Sequence, residues 1–202
     1  MLWRVEFFPF CTHHVFLSHC REDRDTLVFP LYEALHGRGI MPWLDRHEYP
    51  YGRTSFEALR DGVLKSRHCV FLVTEAMLAQ PRGWSAVELA WADLLQENLR
   101  EPGGALQIVA LPLFFVDPGA GPVLRSAWRI LLDRAPVCRV ADGDPVAWAR
   151  NQIWEFILRE QERGEDIARW LQADGRARSR LNLRRGLLDR VTCRHPAMLP
   201  LS

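Results

Sequence analysis

Residues 68–74, His-Cys-Val-Phe-Leu-Val-Thr, are apolar or β-branched with almost no polar alternation. A strand with one wet face alternates, so a run like this needs cover on both faces. That requirement selects a parallel sheet sandwiched between helices, and the rest of the chain supplies the parts. Short apolar runs recur at residues 14–18, 40–44, 106–116 and 136–140. Between them lie segments with helical spacing: Leu27, Leu31 and Leu35, then Phe56, Leu59, Val63 and Leu64, then residues 84–99, 123–132 and 145–163. Asp23 or Asp25 can cap the first helix, Gly37-Arg38-Gly39 closes it, and Thr54 or Ser55 caps the second. Five strands alternating with helices predict an α/β fold, a doubly wound five-stranded parallel sheet. At 202 residues and 48% apolar content, the chain can core one such domain.

The expected organisation is an N-terminal extension over residues 1–12, a globular domain over 13–164 and a C-terminal extension over 165–202. The last carries seven arginines between Arg176 and Arg194, interleaved with leucines. It reads as a solvated terminal helix or tail, with a partner-binding element as the alternative.

Bulk chemistry removes several function classes. The 26 basic and 25 acidic side chains nearly cancel, so no basic excess predicts a nucleic-acid partner. Cys11, Cys20, Cys69, Cys138 and Cys193 are odd in number, widely spaced and without a CxxC pair, which argues against a disulfide framework or zinc site and for a reducing compartment. The first ten residues carry Arg4 and Glu6 inside their apolar run and make a poor signal peptide. No stretch approaches the roughly 18–20 apolar residues of a membrane span, so a soluble, cytoplasmic protein with no membrane partner is expected. There is no P-loop, no GxGxxG after a strand, no GxSxG elbow and no HExxH. His13-His14 has no carboxylate or cysteine at ligand spacing and reads as ordinary polar residues, so no metal is expected.

In an open parallel sheet, ligands bind beyond the carboxyl ends of the strands. Residues 18–25, 45–53 and 74–88 should meet there, bringing Ser18, His19, Arg21, Asp23, Asp45, Arg46, His47, Glu48, Arg53 and Glu88. Glu88 is the most informative. Plotted on a helix, Trp84, Trp91 and Leu95 fall within about 60° of it, so a carboxylate stands inside the apolar stripe. Such a group is costly unless paired or exposed in a cleft. Both options stay open: a cleft carboxylate, or a capping or salt-bridged one, for instance to Arg82.

These same residues carry a family resemblance. Val15-Phe16-Leu17-Ser18-His19 resembles the first box of TIR domains. Trp43-Leu44-Asp45 and the loop with Gly52 look like the BB loop and its flanks. Residues 66–74 are similar to the S-x-x-x-V-x-V-x-S run, and Trp84-Ser85-Ala86-Val87-Glu88 resembles the W-x-x-x-E segment of NAD-cleaving TIR proteins. The likeness spans about residues 13–140 and extends to bacterial anti-phage TIR proteins of the Thoeris-like kind. It implies a flavodoxin-like sheet and two possible roles. One is an NAD glycohydrolase or cyclase, releasing nicotinamide and giving ADP-ribose or a cyclic ADP-ribose-type signal. The other is a non-catalytic TIR–TIR interaction module. For the enzyme the resemblance implies Glu88 as catalytic residue and NAD as substrate with no further cofactor. Trp84, Ser18, His19, Arg21, Asp45 and Arg53 would bind substrate. His47, Glu48, Tyr49, Tyr51 and Gly52 would form the self-association loop, and a downstream effector could respond to the nucleotide product.

Overall fold

The protein is described from a computed structural model, which covers residues 11–45, 54–80, 83–98, 110–116, 138 and 143–174, with side chains for all but 93–98 and 160–174. Four parallel strands lie within these residues: β1 (His13–Ser18), β2 (Pro42–Trp43), β3 (Ser66–Val73) and β4 (Ala110–Phe114). They stand in the order β2-β1-β3-β4. Five helices accompany them: α1 (Phe29–His36), α2 (Ser55–Lys65), α3 (Glu75–Ala79), α4 (Trp84–Asn98) and α5 (Pro145–Asp174). The chain leaves β1, forms β2 on one side, and returns to form β3 on the other. The carboxyl ends of β1 and β3 therefore flank the switch point of the sheet. Of the two remaining expected elements, the helix at 123–132 lies outside the described residues, and of the strand at 136–140 only Cys138 is described. Its backbone N–H donates to the Phe114 carbonyl at 2.7 Å.

The two-sided burial expected of the central strands holds for β1 and β3, in which every residue is buried. Alternation divides them between two cores. Phe16, Cys69, Phe71 and Val73 face one way with Trp43, Leu59, Val63, Val87 and Trp91. Val15, Leu17, Val70 and Leu72 face the other with Leu31, Leu35, Ile40, Leu113 and Ile153. Thus α2 and α4 cover one face and α1 and α5 the other. Among the described residues no helix is long and apolar enough to cross a membrane.

Local signals were mostly decisive. Thr54 caps α2 through a capping box, its hydroxyl accepting from the Glu57 N–H while the Glu57 carboxylate accepts from the Thr54 N–H. The approach to α1 departs from expectation: a 3₁₀ turn (Arg21–Asp23) and a π turn (Arg24–Val28) precede it. Asp23 makes no capping bond there because its carboxylate is used elsewhere, by Thr74.

Gly62 sits in the middle of α2, where alanine would normally be the better helix former by roughly 1 kcal/mol. Here the Trp43 ring lies so close that a Cβ would stand 2.5 Å from it. Trp43 in turn stacks on Phe16, with centroids 4.8 Å apart. Gly62→Ala should therefore destabilise the fold by about 1–3 kcal/mol, as overpacking does, measured by chemical unfolding. A gain in stability would show that Trp43 is free to move.

Candidate functional site

A cleft of about 200 Å³ opens at the carboxyl ends of the strands. Phe16 and Trp43 supply its apolar floor. His19, Cys20, Arg21, Arg24 and Asp45 come from the segments after β1 and β2, while Met77, Gln80, Gly83, Trp84, Ser85 and Glu88 come from the segment after β3.

The two walls are tied together. Asp23 accepts a hydrogen bond from the Thr74 hydroxyl at 2.5 Å, and the same hydroxyl accepts from the Met77 N–H at 3.2 Å to cap α3. Glu22 accepts from Gln80 at 3.0 Å and from the Cys20 thiol at 2.6 Å.

His19 is oriented by two bonds, its Nδ1 lying 3.0 Å from the Leu17 carbonyl and its Nε2 3.1 Å from Arg24 Nε. A carbonyl only accepts and a guanidinium only donates, so Nδ1 carries the proton and Nε2 the lone pair. Burial is the main influence on this ring and holds it below the usual histidine range, against the pull of the Leu17 carbonyl and Asp45. A terminal nitrogen of the same Arg24 donates to Asp45. One arginine thus fixes groups from the ends of two strands.

Glu88 lies one turn into α4 and is 4% exposed. Ser18, the last residue of β1, donates its hydroxyl to Glu88 Oε2 at 2.5 Å. Burial pushes the Glu88 carboxyl up to about 7, with Asp45 adding to the rise and the Ser18 hydroxyl opposing it. Trp84 is half-buried, one helical turn before Glu88 on the cleft wall, its ring 6.5 Å from that of Phe56. The buried carboxylate faces a cleft, and its described partner is a hydroxyl rather than a cation.

Of the residues expected at the site, Glu88, Trp84, His19, Arg21 and Asp45 line the cleft. Ser18 is not among the lining residues; its hydroxyl is bonded to Glu88, which is. Arg53, His47, Glu48, Tyr49, Tyr51 and Gly52 lie outside the described residues, as do Arg46 and Arg82. Arg24 and Gln80 escaped the sequence reading because their roles rest on partners 21 and 58 residues away. Among the described residues no cluster of three His, Cys, Asp or Glu side chains is placed to hold a metal ion.

A family model described as "TIR domain" matches residues 15–127. Over 77 residues the chain is 27% identical to the "NAD(+) hydrolase TcpA" of Theionarchaea archaeon (strain DG-70-1), covering 38% of this chain and 23% of that protein. Over 79 residues it is 29% identical to the "NAD(+) hydrolase TcpC" of Escherichia coli O6:H1, covering 39% and 25%. The matches thus span about a quarter of the length of these curated relatives. Among solved structures, the chain is similar to the TIR domains of the activated Roq1 resistosome directly recognizing the pathogen effector XopQ, with a TM-score of 0.46, 21% identity, and coverage of 78% of this chain and 84% of that one.

The buried carboxyl makes stability depend on pH. The folded chain keeps the Glu88 proton up to about pH 7, whereas an unfolded chain releases it near 4.5. The folded state is therefore favoured most at low pH and loses that advantage as pH rises through this window. Glu88→Gln should match the wild type in stability near pH 4 and exceed it above pH 7.5 by up to about 3 kcal/mol. Urea unfolding at both pH values checks this; a pH-independent difference would show that Glu88 is not held protonated by burial.

Proposed function

The chain belongs to the TIR domain family, and on that premise we propose that it cleaves the bond between nicotinamide and ribose in NAD. The observation that carries the reading is Glu88, a buried carboxylate on a cleft wall, four residues after a half-buried Trp84 on the same wall. The curated relatives named as NAD(+) hydrolases support the same assignment.

In this reaction the C1′–N bond breaks and its electron pair leaves with nicotinamide, which departs neutral. Positive charge is left on C1′ and the ring oxygen of the ribose. The anionic Glu88 carboxylate stabilises that charge, directly or through the ribose hydroxyls, in a dry site where such an interaction is strong. Water then attacks C1′ and gives up a proton, yielding ADP-ribose. When an adenine nitrogen attacks instead, the product is cyclic. Before departure nicotinamide is a cationic ring, and Trp84 offers it an aromatic face worth roughly 0.5–2 kcal/mol. At about 200 Å³ the cleft is smaller than the ~300–1,000 Å³ of sites for drug-sized ligands. It suits one end of a dinucleotide, the ring and its sugar.

Asp45 and His19 are assigned to the sugar hydroxyls and Arg21 to the pyrophosphate. The last assignment follows from charge: Arg24 is committed to Asp45, whereas Arg21 is exposed on the cleft wall. Arg53, with His47, Glu48, Tyr49, Tyr51 and Gly52, is assigned to a loop through which a second copy completes the pocket. The cyclic product, a downstream effector that reads it and a setting in anti-phage defence belong to the same proposal and rest on the motif resemblance alone.

Purified protein incubated with NAD should release nicotinamide, read by chromatography. Glu88→Gln should lower that rate by about 10²–10³ while the protein stays folded. Turnover by the variant at the wild-type rate would remove Glu88 from the chemistry. No release at any protein concentration would favour the non-catalytic interaction module.

Trp84 gives a second test. Trp84→Ala should weaken NAD binding and change the ratio of linear to cyclic product, because whatever replaces nicotinamide decides which nucleophile reaches C1′. Trp84→Phe should keep most of the wild-type pattern. A destabilised alanine variant with unchanged binding and products would return Trp84 to a packing role.

A further inference from the structure

The proposed reaction needs Glu88 anionic and correctly turned, yet burial and Asp45 both work against the anion. What works for it comes from the neighbouring strand. Ser18 ends β1, is 1% exposed and is fixed by the parallel ladder that pairs it with Phe71. Its single O–H is spent on Glu88 Oε2 at 2.5 Å, so it has none to offer a ligand. It also stands outside the cleft wall. Glu88 Oε1 has no hydrogen-bond partner among the described residues, and Glu88 itself is part of that wall.

We propose that Ser18 is a positioning residue for the ribosyl chemistry: it occupies Oε2 of Glu88 from a rigid strand end, fixes the plane of the carboxylate and leaves Oε1 to the substrate. This rests on the NAD-cleavage reading and assigns Ser18 a different part in it from substrate contact. The terminal torsion of a glutamate is broad and poorly fixed by itself. A short bond to one oxygen, donated by a side chain that has no room to move, selects one orientation for the other. The same bond favours the charged form, because a hydroxyl donates to a carboxylate more strongly than to a carboxylic acid. Removing the hydroxyl should therefore misplace Oε1 and raise the proton affinity of Glu88 together.

Among the described residues, the titratable or charged groups besides Glu88 that face the cleft are His19, Cys20, Arg21 and Arg24 after β1 and Asp45 after β2; Leu59, Met77, Gln80, Trp84 and Ser85 from the other walls do not titrate. The Cys20 thiol is pushed up to about 11, chiefly by burial and then by its bond to Glu22, and burial holds His19 below its usual range. A transition that moves upward from neutral pH when Ser18 is changed is assigned to Glu88 by the carboxyl resonance that Glu88→Gln removes.

The test follows Glu88 directly, with carbon-13 in the glutamate carboxyls of the full chain and its resonance identified by loss in Glu88→Gln. The wild type, Ser18→Ala and Ser18→Cys are titrated, and the pH profile of kcat/KM for nicotinamide release is recorded on the same samples. In Ser18→Ala the Glu88 midpoint and the acid limb should both rise by about one pH unit, a tenfold gain in proton affinity. kcat on the alkaline plateau, where Glu88 is ionised in both proteins, should fall about tenfold. Ser18→Cys keeps a weak donor of similar size and should lie between; it carries the test if the alanine variant does not fold. An unchanged Glu88 midpoint in the folded variants overturns the positioning role alone. A wild type that releases no nicotinamide overturns the underlying reaction, and the role with it.

Discussion

The burial of both faces of β1 and β3 is the constraint on which the rest of the structure depends. Strands buried on both faces cannot end in solvent-facing side chains until the chain leaves the sheet. The first polar groups after them are therefore gathered at one edge. Ser18 at the end of β1 and Thr74 just past β3 are both buried, and each spends its hydroxyl on a carboxylate from another segment. The dry sheet thus creates both the cleft and the low-dielectric surroundings that make its few polar contacts strong.

Carboxylates at this edge meet different fates according to what surrounds them. Asp23 is taken up by Thr74, Glu22 by Gln80 and Cys20, and Asp45 by Arg24. Those bonds hold the walls of the cleft together. Glu88 alone among the four is nine-tenths buried or more, and its described partner, like that of Asp23, is a neutral hydroxyl. A buried carboxylate met only by a hydroxyl among the described residues is a cost to the fold, the kind of cost that the reactive role proposed for it would explain. His19 follows the same logic in miniature. Held neutral by burial and by two bonds that dictate its tautomer, it presents a fixed shape instead of a mobile charge.

The fold class was legible in the chain because it follows from local patterns. The unbroken apolar run at 68–74, the helical spacing of Leu27, Leu31 and Leu35, and the Thr54 cap are all properties of neighbouring residues. Glu88 was legible too, as a charge at the wrong phase of an apolar helix, and Trp84 with it. The sequence by itself therefore determined a helix-covered parallel sheet and one anomalous carboxylate, since hydrophobic period and helical phase are set within a few residues. Only the tertiary structure decided how that carboxylate is held. The Ser18–Glu88, Arg24–Asp45 and Thr74–Asp23 pairs join residues 70, 21 and 51 positions apart, and a hydrogen bond of a few ångströms depends on where folding brings two segments, which no local pattern encodes.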